Sequence, residues 1–333
     1  MNRFLLPRFD DGDMYSCSRY TAEEWDSFRN PNLFIGLFYI CSGIIYDVLY
    51  LPVLAVMTQP KFRHRSCYRI MLYLGVIDFT CVIINSIISG YFSIVGSVYC
   101  TRPMLTYIAG CISTALWTTS CATCFLLAFN RCITMTRPKL ADRLFDGYRT
   151  WLFLCLPTLY FLYFLWFTPP LLFSSNHYAM FFNPYVGIPG FNQEEDERKY
   201  ASLPHTINNI ADVLCLSITY IAFCIYIAKT ASANISSPTR QTFVQASVIC
   251  SINAIAAVIY VIMQFVPTPT TLIVIGQVAW QASHGAPVFS YLFLNKSIRN
   301  AVKRMLPNRN PTVVKCTTTP AEQRHSSLRT TTT

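Results

Sequence analysis

Three carboxylates and one guanidinium stand inside stretches of this chain that are otherwise apolar: Asp47, Asp78, Asp212 and Arg131. Ionisable groups are costly in such surroundings, so each one marks a candidate ion site, proton relay or switch point. Asp78 closes the run Leu74-Gly75-Val76-Ile77-Asp78, with Asn85 two turns further along the same helical face and Ser120 available from the next apolar stretch. That set could hold a sodium ion with water, and a protonated or hydrogen-bonded structural acid is the competing reading. No other metal site is expected. Asp47 follows Tyr46 and could pair with polar groups of the last apolar stretch. Gly110, Thr114, Trp117, Cys121, Cys124, Ala128 and Arg131 recur at helical spacing, so Arg131 ends a stripe on one face. An arginine there can grip carbonyls or acids of neighbouring helices and release them on opening, the local ingredient of a two-state switch. A snorkelling arginine at a membrane edge would show the same spacing.

A second group of polar residues has the make-up of a small-molecule site. His205, Asn208, Asn209 and Asp212 fall at i, i+3, i+4 and i+7 and form one stripe. Tyr260 and Gln264 come from the following stretch, Gln277, Trp280, Gln281 and His284 from the last, and Tyr107, Cys111 and Thr114 from the third. Converging polar groups on an apolar, aromatic wall are what an orienting ligand pocket requires. Hydrogen bonding between helices is the alternative for any one of them.

These side chains need elements to hold them, and the hydropathy supplies seven. The candidate spans are Leu33 to Met57, Ile70 to Val95, Met104 to Ile133, Trp151 to Phe173, Ile207 to Ala228, Phe243 to Val266 and Thr271 to Leu294. Each reaches the ~20 residues that carry a helix across a hydrocarbon core of ~30 Å. Lipid offers the backbone no hydrogen-bonding partner, so the expected fold is all-α, a seven-transmembrane helix bundle. At 53% hydrophobic and 13% charged residues, the chain is far from the soluble norm of about 25% charged.

Sidedness follows from Lys and Arg. With the N-terminus extracellular, the cytoplasmic loops carry Lys61, Arg63, Arg65 and Arg69, then Arg131, Arg137, Lys139, Arg143 and Arg149, then Lys229 and Arg240. The C-terminal tail adds eight more, from Lys296 to Arg329. The outer side holds most of the acids, including Glu23, Glu24, Glu194 and Glu195. The net charge of +10 is therefore a sidedness signal and an attraction to an anionic bilayer face, and nucleic acid is not an expected partner. The expected divisions are an extracellular segment at 1–32, the bundle at 33–294, an interfacial amphipathic helix at 295–306 and a disordered tail at 307–333. In that helix Ile298, Val302 and Met305 oppose Lys296, Arg299 and Lys303. Ser326 and Ser327 are candidate phosphosites in the tail, and Cys316 a candidate for lipidation. No cleavable signal peptide is expected, and the Asn-x-Ser matches at Asn234 and Asn295 fall on the inner side.

Most cysteines lie within spans or on the inner side, which leaves Cys17 and Cys100 as a candidate disulfide tying the N-terminal segment to the entrance of span three. An enzyme is not expected: no HExxH, paired catalytic Asp motif or clustered His ligands appear. Lys296 lies at a span boundary, so a retinal Schiff base is excluded as well, and no cofactor is implied. A ligand-gated channel or a small-solute transporter is the competing class, although the chain lacks the internal symmetry that transporters often carry.

Several short motifs, in order along the chain, carry a resemblance. They are Tyr15-Ser16-Cys17-Ser18 with Glu23-Glu24-Trp25, Leu49-Tyr50-Leu51-Pro52, Cys67-Tyr68-Arg69-Ile70-Met71, Tyr99-Cys100-Thr101-Arg102-Pro103 and Asn130-Arg131-Cys132. Together they resemble the nematode serpentine chemoreceptors of class T, from about Tyr15 to the end of span seven. With Asp78 in span two, the Asn130-Arg131-Cys132 triplet is similar to the Asp-Arg-Tyr type triplet of G-protein-coupled receptors. The resemblance implies a multi-pass plasma-membrane receptor that binds a small-molecule ligand outside and activates a heterotrimeric G protein inside. Its switch would comprise Asp78, Ser120, Asn130, Arg131 and Cys132, with Pro287 and Tyr291 in place of Asn-Pro-x-x-Tyr. The chain departs from the larger rhodopsin-like pattern in three places. Asn130 replaces the acid of the triplet, span six lacks Cys-Trp-x-Pro, and Tyr291 comes one residue late after Pro287.

Overall fold

A helix satisfies its own backbone hydrogen bonds, and that requirement shapes the computed structural model, which describes residues 14–230, 237–265 and 268–305. Span one is Leu33–Met57, started by Asn32, whose side chain accepts from the Ile35 amide at 3.0 Å. Its inner face reads Gly36, Tyr39, Gly43, Asp47, Tyr50 and Val53, while Phe34, Leu37, Phe38, Ile45, Val48 and Leu51 stay exposed for lipid. Spans two, three and four are Ser66–Val95, Pro103–Thr136 and Arg149–Phe167. Spans five and six are Leu203–Thr230 and Ser237–Phe265. Span three is the central pillar, since 78% of its most apolar window is buried against 22% for spans four and five.

Among the described residues, six helices are long and apolar enough to cross a membrane. The seventh run, expected as one helix over Thr271 to Leu294, is split into Thr270–Gly285 and Pro287–Leu294. Pro287 has no N–H to donate, so the ladder is interrupted at Ala286. Another helix, Lys296–Met305, follows Asn295, and Asn295 Oδ1 accepts from the Ile298 amide at 3.1 Å.

Besides the 3-10 turn Tyr99–Thr101, two larger features of the described residues depart from a uniform set of α-helices. Within span two, Ile83–Ile88 is a π-helical turn, and the Ser89 amide donates to Ile84 O. Span four was expected to run to Phe173 but ends at Phe167. Thr168 turns extended and two prolines follow, so Leu171, Leu172 and Phe173 leave the helix. Leu172–Ser174 (β1) pairs antiparallel with Ala179–Phe181 (β2), Leu172 opposite Phe181, and both strands are largely buried. The all-α expectation thus gains a two-stranded hairpin.

The hairpin lies over one mouth of the bundle, beneath a layer built from the N-terminal segment and the loop that holds the helix Gln193–Tyr200. Cys17 and Cys100 are disulfide-bonded, with Cα atoms 5.6 Å apart. The short helix Ala22–Ser27 begins in a capping box between Thr21 and Glu24. It buries Trp25, whose Nε1 donates to Cys17 O at 2.9 Å. Tyr185 stacks on Phe191 at 4.0 Å, and its hydroxyl donates to Ser16 O at 2.7 Å. The opposite mouth is ringed by Arg63, Arg65, Arg69, Arg131 and the helix Lys296–Met305, and we call it the basic end. The tail with Cys316, Ser326 and Ser327, the connector holding Asn234, and the far end of the expected interfacial helix lie outside the described residues. So do the side chains of Lys229, Arg240 and Gln264.

Candidate functional site

Beneath the hairpin, polar groups of spans three to seven meet. Span three approaches the strand at Gly110, where a Cβ would stand 1.9 Å from Leu171 O, so only glycine admits the hairpin at this depth. One turn further in, Thr114 accepts from the Leu171 amide at 3.1 Å and donates to Gly110 O at 2.8 Å. Tyr107 and Cys111, from the same helix, are packed into the capping layer, with Tyr107 edge-on to Tyr15 at 5.7 Å. On the other side Phe182 meets the ring of His205 edge-on at 5.0 Å; His205 is buried and its Nδ1 has no partner.

The span-five stripe faces inward. Asn209 Oδ1 accepts from Trp117 Nε1 at 2.8 Å and from Asn208 Nδ2 at 3.1 Å. Asn208 Oδ1 accepts from the Tyr160 hydroxyl at 3.1 Å. Asp212 is buried and takes one contact, from Asn253 Nδ2 at 3.5 Å, while its Oδ1 is unpartnered. Between these groups and span seven sits an aromatic cluster in which Trp117, Tyr260 and Trp280 lie 6.0 to 6.5 Å apart. Asn209 Nδ2, Asn253 Oδ1 and Trp280 Nε1 are also buried and unpartnered. Buried polar atoms ordinarily find partners, so this concentration of free donors and acceptors identifies a place that a polar ligand or water can satisfy.

Gln277, Gln281 and His284, expected on the ligand wall, are turned to span two. Gln277 Nε2 and Gln281 Nε2 both donate to Asn85 O at 3.0 Å. The π-turn presents that carbonyl sideways, which is how such turns expose backbone groups to neighbours. His284 Nδ1 lies 2.8 Å from Asp78 Oδ1, and both side chains are buried. The Tyr50 hydroxyl reaches Asp78 Oδ2 at 3.2 Å and His284 O at 2.7 Å, joining spans one, two and seven. Ser120 also neighbours the carboxylate, whereas the side chain of Asn85 is engaged by Ser86. Asp47 is buried, its Oδ1 is unpartnered, and no span-seven polar side chain pairs with it among the described residues.

Toward the basic end Tyr291 is fully buried beside Tyr50, ring centroids 6.4 Å apart, one turn beyond Pro287. Arg131 is buried, and its Nη2 donates to Asn130 Oδ1 at 3.1 Å. Its Nε is unpartnered, and among the described residues no carboxylate pairs with it. Asn130 Nδ2 in turn donates to Ser66 at 3.1 Å. Cys132 is half-buried with a free thiol.

Several partners in these networks were absent from the sequence expectations: Tyr50 on Asp78, Asn253 on Asp212 and Tyr160 on Asn208. Asn295, part of an Asn-x-Ser match in the sequence, donates to Gln245 Oε1 at 2.9 Å and meets Tyr68. Asn253 and Gln245 are amides in an apolar span, and extending the search from ionisable groups to buried amides would have found them.

The hairpin itself carries a titratable group. His177 Nδ1 lies 3.1 Å from Thr270 Oγ1 at the start of span seven, and burial lowers its pKa from the ordinary 6.5. The folded chain thus favours neutral imidazole. Its contribution to docking is present above pH 6.5 and is lost as pH falls toward the lowered folded value. The protection of amides 172–181 against exchange, corrected for their intrinsic rates, should fall below that pH, modestly because the ring is half-exposed, and His177→Asn should flatten the response. A profile identical in both proteins would refute the assignment.

Residues 2–314 match the profile of a family described as serpentine type 7TM GPCR chemoreceptor Srt. The chain is 28% identical over 299 residues to serpentine receptor class T-55 of Caenorhabditis elegans, covering 88% of this chain and 80% of that one. Its fold is similar to squid rhodopsin in a crystal structure, with a TM-score of 0.62 at 13% identity over 88% of this chain and 91% of the other.

Proposed function

The chain belongs to the serpentine class T family of seven-transmembrane chemoreceptors, and from that premise we propose that it is a plasma-membrane receptor that binds a small extracellular ligand within the bundle and activates a heterotrimeric G protein. The N-terminus and hairpin would face outward and the basic end the cytoplasm, in keeping with the distribution of Lys and Arg. One observation carries the reading. The unpartnered polar cluster around Asp212, Asn209, Asn253 and Trp280 touches, through Trp117, the same His284 that holds Asp78. Trp117 and His284 meet edge-on at 5.8 Å, so a ligand that displaces the Trp117 ring would disturb the Asp78–His284–Tyr50 junction. That junction packs against Tyr291, and Arg131 lies beyond it. A channel or transporter would need a polar path through the bundle, and the tightly packed junction supports the receptor reading better.

The test is a panel of small volatile and water-soluble compounds applied to cells expressing the full chain with a G-protein reporter. For any compound that evokes a signal, Asp212→Asn should weaken potency about tenfold, equivalent to about 1.4 kcal/mol, with surface level unchanged. An unaltered dose response would remove Asp212 from the ligand site. Ligand-evoked current in cells lacking G proteins would favour the channel.

A further inference from the structure

At the basic end, the turn between spans one and two and the turn before span four close around one buried arginine. Arg69 Nε donates to Arg63 O at 2.6 Å, Nη2 to His64 O at 3.1 Å, and Nη1 to both Thr150 Oγ1 at 3.1 Å and Gly147 O. All four acceptors are neutral. They use four of the five N–H donors of the guanidinium and leave its charge in place. Among the described residues no carboxylate pairs with Arg69; Asp146, beside Gly147 in sequence, is exposed and does not line the adjoining cavity.

That cavity has a volume of about 420 Å³ and is walled by Arg63, His64, Arg69, Gly147, Tyr148 and Trp151. It is a shallow, open hollow at the surface and not an enclosed site. Arg63 and His64 are exposed at its rim, so two arginines and an imidazole border one space. On its other side Tyr148 and Trp151 are 69% and 42% exposed, and the same flank of span four continues through exposed Leu152 and Leu156. Aromatic residues with a polar edge settle at headgroup depth, and the leucines beyond them face acyl chains. A cationic hollow at headgroup depth with an apolar runway leading from it has the shape of a lipid site more than of a site for a free anion.

We propose that this cavity binds the phosphorylated headgroup of an anionic phospholipid of the phosphoinositide class, drawn from the leaflet that meets the basic end. A phosphomonoester would take the remaining Nη2 donor and the charge of Arg69, with Arg63 and His64 gripping further phosphate oxygens. Occupancy would brace the first inner turn against the second, because Arg69 already binds both. The proposal uses the orientation given above, and it is independent of the ligand and of G-protein coupling.

The test uses the purified full-length protein in nanodiscs, where both faces are accessible and neither orientation nor coupling enters the measurement. Phosphatidylcholine discs doped with phosphatidylinositol bisphosphate should yield protein that retains the doped lipid in native mass spectrometry. The double variant Arg63→Gln, His64→Gln leaves the Arg69 backbone contacts intact and should retain it at least about tenfold less, equivalent to about 1.4 kcal/mol. Retention should also fall with added salt. Equal retention of phosphatidylcholine, or unchanged retention in the double variant, would overturn the site. Displacement by soluble inositol trisphosphate at the same concentration as the lipid would overturn the membrane source.

Discussion

Replacing Asp78 by Ala is expected to lower the stability of the folded bundle by about 3 kcal/mol, where the cost of orphaning a neutral buried group meets that of breaking a buried ion pair. The effect is large because the carboxylate serves two partners at once. Its loss strands the Nδ1 of His284, whose Nε2 already has no partner, and frees the Tyr50 hydroxyl from one of its two contacts. Both side chains of the pair are almost wholly buried, so bulk water does not reach the stranded groups. The measurement is the thermal midpoint of the detergent-purified protein together with its surface abundance. Asp78→Ala combined with His284→Ala should recover part of the loss, since the second change removes the stranded group. A single variant as stable as the parent chain would mean that the junction is not a structural tie.

The second large effect concerns Arg131. On the proposed function, Arg131→Ala should abolish G-protein activation while leaving ligand binding, because among the described residues no other buried cation stands at the end of span three with an unpartnered donor. The converse substitution is more informative. In this chain the guanidinium is held by an amide, Asn130 Oδ1, where the wider receptor pattern has an acid. Asn130→Asp would give the buried charge a carboxylate partner and weight the closed arrangement about tenfold for each 1.4 kcal/mol gained. Unstimulated reporter activity should fall accordingly. Normal signalling from Arg131→Ala would sink the switch assignment, and basal activity unmoved by Asn130→Asp would sink the view that the amide leaves the lock weak.

The spans were legible because hydropathy over ~20 residues reports directly on the thickness of the bilayer. Local chemistry at their ends was less so. Leu171, Leu172 and Phe173 are apolar enough to extend span four, and hydropathy cannot distinguish burial in lipid from burial beneath a protein cap. Two prolines were the clue, and Gly110, across the gap, has meaning only once the strand is in place. In the candidate site, Gln277, Gln281 and His284 stand out in the sequence as polar residues of the last span, yet that does not name their partner. The partner is span two, and the carbonyl that receives both glutamines is presented by a π-turn with no simple sequence signature. The span-five stripe was legible in full as a pattern, whereas Asn253, Tyr50 and Tyr160 required the packing of different helices against one another.

The break at Pro287 also bears on how the protein is made. Thr270–Gly285 holds 16 residues, about 24 Å of helix, which is short of the ~30 Å hydrocarbon core. It also carries Gln277, Gln281 and His284 at mid-depth, and their partners Asn85 and Asp78 belong to a helix synthesised some two hundred residues earlier. Only with the apolar helix Pro287–Leu294, beyond the break, does the last span gain the length to cross. Reception of its polar side chains by span two should therefore help to seat it, and a lesion in span two is expected to show first as reduced insertion of span seven.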